Sequence, residues 1–233
     1  MRPRLLAALG GTVVLLAALV GCATPGAAGP GGSVPDGGAA DSAPAWEVDA
    51  GWIAGGTMIA VVTYGSSSCA PVLGEVAEVD GVVDVTLRDP EAEACTDDLV
   101  PQPLAVPVPA GVEPRDGARV TVSLGDARGD IDLPAYTGDP VEEFTPSAGW
   151  VGDDAIALLT WGSSSCRPIV ESVSVKSAAS VVVTFATPDA DQVCTMDMAP
   201  QLTVAQLDPD VEVDRDATVT LGVLDAAETV SIR

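Results

Sequence analysis

Beyond its first 45 residues the chain alternates. Short runs rich in Val, Ile and Thr place apolar residues at every second position, and clusters of Gly, Pro and Asp separate the runs. A period of two belongs to strands with one face buried, and recurrent turn clusters belong to an all-β architecture. In the first half the pattern predicts strands at Thr57–Tyr64, Val82–Arg88, Arg119–Leu124 and Ile131–Leu133. In the second it predicts Ile156–Trp161, Ile169–Val175, Val181–Ala186, Leu202–Leu207, Thr218–Val223 and Val230–Ile232. Outside the N-terminus no stretch keeps an apolar period of 3.6 past two turns, so no helix is predicted there.

The alternating region is one unit written twice. Ala50-Gly51-Trp52 recurs as Ala148-Gly149-Trp150, and Tyr64-Gly65-Ser66-Ser67-Ser68-Cys69 as Trp161-Gly162-Ser163-Ser164-Ser165-Cys166. Cys95-Thr96 and Pro101-Gln102 recur as Cys194-Thr195 and Pro200-Gln201. Val120–Gly125 recurs as Ala217–Gly222. The near-constant spacing predicts two homologous β domains in tandem, residues 46–138 and 139–233, each a β-sandwich or small barrel of about six strands. One pseudo-symmetric domain with a shared core is the alternative arrangement.

The N-terminus reads as an address. Met1-Arg2-Pro3-Arg4 is basic, and Leu5–Val20 is an apolar run. As a helix that run rises about 24 Å, short of the ~30 Å hydrocarbon core of a bilayer, so it suits a signal peptide better than a permanent span. It ends Leu19-Val20-Gly21-Cys22, which resembles the lipobox of bacterial lipoproteins. The resemblance implies cleavage after residue 21, a diacylglyceryl group on the Cys22 thiol, and attachment to the outer, extracytoplasmic face of the cell membrane. Two acyl chains give firm anchoring where one is marginal. Residues 22–45 form the expected tether: no aromatic residue, no apolar period, and too little apolar surface to offset the entropy of ordering. As a flexible coil it spans about 26 Å.

Four cysteines remain after Cys22, two per repeat at matching places. Three pairings are possible, and duplication favours Cys69–Cys95 and Cys166–Cys194, because each unit had to fold before it was copied. An oxidising compartment favours bridges over thiols. The spacing is not Cys-x-x-Cys, which argues against redox catalysis.

Beside each first cysteine lies a serine loop, Ser66–Ser68 and Ser163–Ser165. Gly65 and Gly162 are expected to supply positive φ. One reading is a disulfide-pinned turn whose hydroxyls cap backbone groups. The other is a ligand loop, in which backbone N–H groups and hydroxyls bind an anion or a polar glycan. Tyr64 and Trp161, next to the loops, are the aromatics placed to extend such a site as stacking platforms. The remaining pairs, Trp52 with Trp150 and Trp46 with Phe144, read as core anchors.

Composition narrows the chemistry. The chain has no histidine, which excludes Ser-His-Asp and Cys-His catalysis, and its one lysine, Lys176, has no counterpart in the first repeat. Net charge is −24, and each half carries 16 acidic and four basic residues. That excludes phosphate-rich nucleic acid as a partner. Asp97-Asp98, Glu142-Glu143 and Asp153-Asp154 are adjacent carboxylates, and Asp208, Asp210, Glu212, Asp214 and Asp216 alternate, which on an extended segment puts all five on one face. Clustered carboxylates suit Ca²⁺, although no EF-hand spacing occurs, and a solvated acidic face is the favoured reading. No cofactor and no catalytic residue are assigned. The expected function is a non-catalytic binding module with a membrane anchor, its partner an envelope glycan or a protein. The alternatives are a carboxylate-dependent hydrolase of envelope polymers and a passive surface spacer.

Overall fold

The computed structural model describes residues 46–92, 94–223 and 226–233. The lipobox and the expected disordered tether lie outside these residues. The described chain is nearly all β. The first repeat holds β1 (Asp49–Ile53), β2 (Met58–Gly65), β3 (Val72–Val79), β4 (Val82–Arg88), β5 (Val100–Pro107), β6 (Ala118–Leu124) and β7 (Ala127–Leu133). The second holds β8 (Ser147–Val151), β9 (Ala155–Gly162), β10 (Val170–Ser177), β11 (Ser180–Phe185), β12 (Ala199–Gln206), β13 (Thr218–Val223) and β14 (Ala226–Ser231).

Each repeat is a sandwich of two open sheets, not a barrel. In the first, the order β1-β2-β5 faces β3-β4-β6-β7; in the second, β12-β9-β8 faces β10-β11-β13-β14. Among the described strands every ladder is antiparallel except β4 with β6 and β11 with β13, and one isolated parallel bridge joins Ala148 to Ile232. The parallel register differs between the units: Val85 pairs with Val122, whereas its counterpart Val183 pairs with Leu221, the counterpart of Leu124. A slip of two residues leaves inward side chains inward, where a slip of one would turn them to solvent.

The alternation missed β1, β3, β5 and β8. The first and last of these are only five residues long, and β3 is a half-exposed edge strand. The sequence of β5, VPQPLAVP, looks like a breaker. It survives because β5 is an edge strand, where every second N–H points away from the ladder and Pro101, Pro103 and Pro107 occupy alternate positions.

Three apolar cores hold the stack. Ile59, Val61, Val83, Val85, Val106, Val120 and Val122 fill the first sandwich. Ile156, Leu158, Val181, Val183, Val219 and Leu221 fill the second. The third belongs to both repeats: Ile53, Ala60 and Val62 from one, Ala157, Leu159 and Leu202 from the other. The central strands β2 and β9 therefore bury both faces, sending alternate residues into different cores. Their unbroken apolar runs are what such strands require.

The repeated Ala-Gly-Trp explains how the two units meet. At the seam β1 and β8 run antiparallel in close contact, and Ala54 N donates to Ser147 Oγ at 2.9 Å. A Cβ on Gly51 would lie 1.8 Å from Trp150 O, and one on Gly149 would lie 2.0 Å from Trp52 O. Only glycine lets the two backbones approach so closely, and the reciprocity gives the chain an internal two-fold relation.

Candidate functional site

Each serine loop is the exit from a central strand. β2 ends at Gly65, the chain turns through Ser66–Ser68, and Cys69 bonds Cys95 with a Cα–Cα distance of 5.5 Å. β9 ends at Gly162, and Cys166 bonds Cys194 at the same 5.5 Å. Both bridges are the ones expected from duplication. Neither glycine has positive φ, contrary to expectation. The reason for glycine is space: a Cβ at Gly65 would stand 2.8 Å from Gln102 Oε1, and one at Gly162 would stand 2.9 Å from Gln201 Oε1.

Those buried glutamines hold the loops from beneath. Gln102 Nε2 donates to Ser66 O and, at 3.5 Å, to Cys69 O. Gln201 Nε2 donates to Ser163 O and, at 2.9 Å, to Cys166 O. From the other side a threonine gathers the hydroxyls. Thr96 Oγ1 lies 2.7 Å from Ser66 Oγ, 3.3 Å from Ser67 Oγ and 3.2 Å from Ser68 Oγ, and donates to Asp98 Oδ1. Thr195 Oγ1 lies 2.8, 3.2 and 3.3 Å from Ser163, Ser164 and Ser165 and donates to Asp197 Oδ1. Ser67 N donates to Asp98 Oδ1 at 3.1 Å, and Ser164 N to Asp197 Oδ1 at 3.0 Å.

This geometry bears on the chemistry. The Ser164 and Thr195 hydroxyls, with the Ser164 N–H, hold the Asp197 carboxyl at about 2, well below the usual carboxylate range. The hydroxyls of Thr96 and Ser67 lower Asp98 in the same way. A carboxylate so well solvated by donors is a poor base, and serine hydroxyls facing a threonine are not poised nucleophiles. Lys176 sits at the far end of β10 from the second loop, about 20 Å along the strand from Val170. The threonine, aspartate and glutamine of each loop were not assigned a role from sequence. Their signal was the repetition of Cys-Thr and Pro-Gln, which marks positions that the loop geometry fills.

Tyr64 and Trp161 do not extend the loops as open platforms. Both are half-buried. Tyr64 Oη donates to Asp49 Oδ2 at 2.8 Å, and burial with that carboxylate pushes the phenol up to about 12. Trp161 Nε1 donates to Thr145 O at 3.3 Å, and its ring meets Phe144 edge-on at 5.1 Å.

A cleft of about 850 Å³ follows the seam beside Trp150, Tyr136, Arg215 and Arg233. Its aromatic faces are already covered: the Arg215 guanidinium lies 4.7 Å from the Trp150 ring centre, and Arg115 lies 5.8 Å from that of Tyr136. Arg215 also pairs with Asp153 at 2.9 Å.

The alternating acids of 208–216 do not share one extended face. Pro209 and the Asx turn in which Asp210 N donates to Asp208 Oδ1 at 3.0 Å break the segment into turns. Among the described residues no three Cys, Asp or Glu side chains converge as a cation site. Comparison with protein families, with curated proteins and with solved structures finds no match to this chain.

Proposed function

We propose that this chain is an extracytoplasmic lipoprotein, anchored through Cys22 to the outer face of the cell membrane, and that it works by binding. The anchoring rests on Leu19-Val20-Gly21-Cys22 behind a basic, apolar leader. The binding reading rests on one observation: both serine loops are exposed, disulfide-pinned and already satisfied by their own threonine, aspartate and glutamine. Such loops are rigid supports that present neighbouring side chains, and rigidity lowers the ordering cost of association. Their committed hydroxyls and strongly ionised aspartates favour display over catalysis.

Two measurements test the two halves of the proposal. Fractionation should find the full chain with membranes and Cys22→Ala in the soluble fraction; a Cys22→Ala chain that stays with membranes rejects the anchor. Thermal unfolding of residues 46–233 against peptidoglycan fragments, envelope polysaccharides and Ca²⁺ tests the ligand class. A ligand of the native state raises the midpoint with concentration. No rise with any of them removes glycan and cation binding and leaves a protein partner or a spacer.

A further inference from the structure

The two serine loops share a skeleton but not a tip. Around the second bridge, Ile169, Val193, Met196 and Met198 are 70%, 90%, 104% and 60% exposed. All four lie within four residues of Cys166 or Cys194. Their counterparts in the first loop are Val72, Ala94, Asp97 and Leu99, of which Val72 and Leu99 are exposed as well, so the tips differ at Val193 and Met196. The second loop thus has a larger aliphatic group in place of Ala94 and a thioether in place of a carboxylate. An exposed apolar group held on a pinned loop has no role in the fold of its own unit, and exposed apolar clusters mark contact sites.

Position and charge select what covers it. The chain enters β1 beside the first loop, where Asp49 pairs with Val62. The second loop lies at the opposite end of the inner layers, because β1 and β8 run antiparallel: Ala54 meets Ser147, and Gly152 meets Asp49. The apolar tip is therefore remote from the start of β1. Exposed Glu171, Asp189, Asp191 and Asp197 lie within four residues of these side chains along the chain, against one base, Arg167, in the same stretches. A second copy would bring the same acidic residues and a net charge of −24. An anionic lipid surface would repel those carboxylates as well. Methionine side chains adapt to the shape of a socket, and a few apolar anchors inside a charged rim are how compact interfaces concentrate their energy.

We propose that the Cys166–Cys194 loop is the docking tip of this protein, and that it inserts into an apolar socket rimmed by Lys and Arg on another extracytoplasmic protein. This rests on the binding reading above and names the site and partner class. The test places a photo-crosslinking phenylalanine at Met196 of the full chain in cells that make it, and in a second chain at Asp97. The Met196 probe should give one discrete product with a different protein, whose crosslinked peptide is apolar with flanking Lys or Arg. Val193→Asp with Met198→Asp should cut that product about tenfold while the unfolding midpoint stays unchanged, since both side chains are exposed. A product of two copies of this chain, adducts with lipid alone, or a crosslinked peptide with no basic residue overturns the proposal. A product from the Asp97 probe and none from Met196 overturns the tip but keeps the binding reading. No product from either probe overturns both.

Discussion

The first and second units keep the same inner machinery and differ where their side chains leave it. Each has a glutamine beneath a serine loop, a threonine gathering three hydroxyls, and an aspartate accepting a serine N–H, with matching distances equal within about 0.1 Å for most of these contacts. The paired tryptophans diverge instead. Trp52 is buried and its Nε1 donates to Pro134 O at 2.7 Å, whereas Trp150 is half-exposed beneath Arg215 and donates to Arg215 O at 3.0 Å. The loop tips diverge further, from Asp97 to Met196. Positions where one atom satisfies several partners cannot change singly, because each change leaves a neighbour unpaired. Positions that meet only solvent are free to acquire new contacts.

The comparison can be challenged at four places, in falling order of expected effect. Gly51→Ala and Gly149→Ala should each cost about 3 kcal/mol or more, because the new methyl meets a backbone carbonyl that no rotamer can move aside. Urea unfolding should give nearly equal losses for the two; a loss from one alone would show that the seam is not reciprocal. Cys69→Ser and Cys166→Ser should each cost about 3 kcal/mol, since the bridges span similar separations of 26 and 28 residues. Because Ala60, Val62, Ala157 and Leu159 pack in one core, either change should lower a single cooperative transition. Two separate transitions would mean that the shared core does not couple the units.

Thr203 offers a smaller and opposite effect. It stands where the first unit has Leu104, it is buried, and its Oγ1 has no hydrogen-bond partner. Thr203→Val should stabilise by about 1 kcal/mol by removing an unsatisfied hydroxyl at constant shape. Leu104→Thr should destabilise, and stabilisation by both changes would contradict this account. The smallest effect concerns acid. The Asp197 carboxyl sits at about 2, below its unfolded value near 3.9, so the stability it supplies is complete above that value and fades as pH falls towards 2. Asp197→Asn should flatten the stability profile across that window relative to the parent chain, and an unchanged slope would remove the carboxylate from the loop's stability.

Much of this was legible along the chain. Short Val-, Ile- and Thr-rich runs identified β2, β4, β6, β9, β10, β11, β12 and β13 and the ends of β7 and β14, because a strand that buries one face carries apolar residues at every second position and one that buries both, as β2 and β9 do, carries an unbroken apolar run. The repeat predicted both disulfides. It also marked Ala-Gly-Trp, Cys-Thr and Pro-Gln without saying what they do. The prolines hid β5, since local propensity carries no information about whether a strand lies at an edge. The acidic period suggested an extended face at 208–216, but Pro209 and the Asp208 side chain turn the backbone there.

Local pattern therefore specified the all-β class, the duplication and the pairing of cysteines, for these depend on periodicity and on residues that recur at matching places. Tertiary structure decided the rest. That Gly51 serves the approach of β8, that Gly65 makes room for a glutamine 37 positions away, and that the serines face a threonine all depend on contacts between distant segments. Those contacts exist only once the sheets have closed over their cores, so no window of sequence contains them.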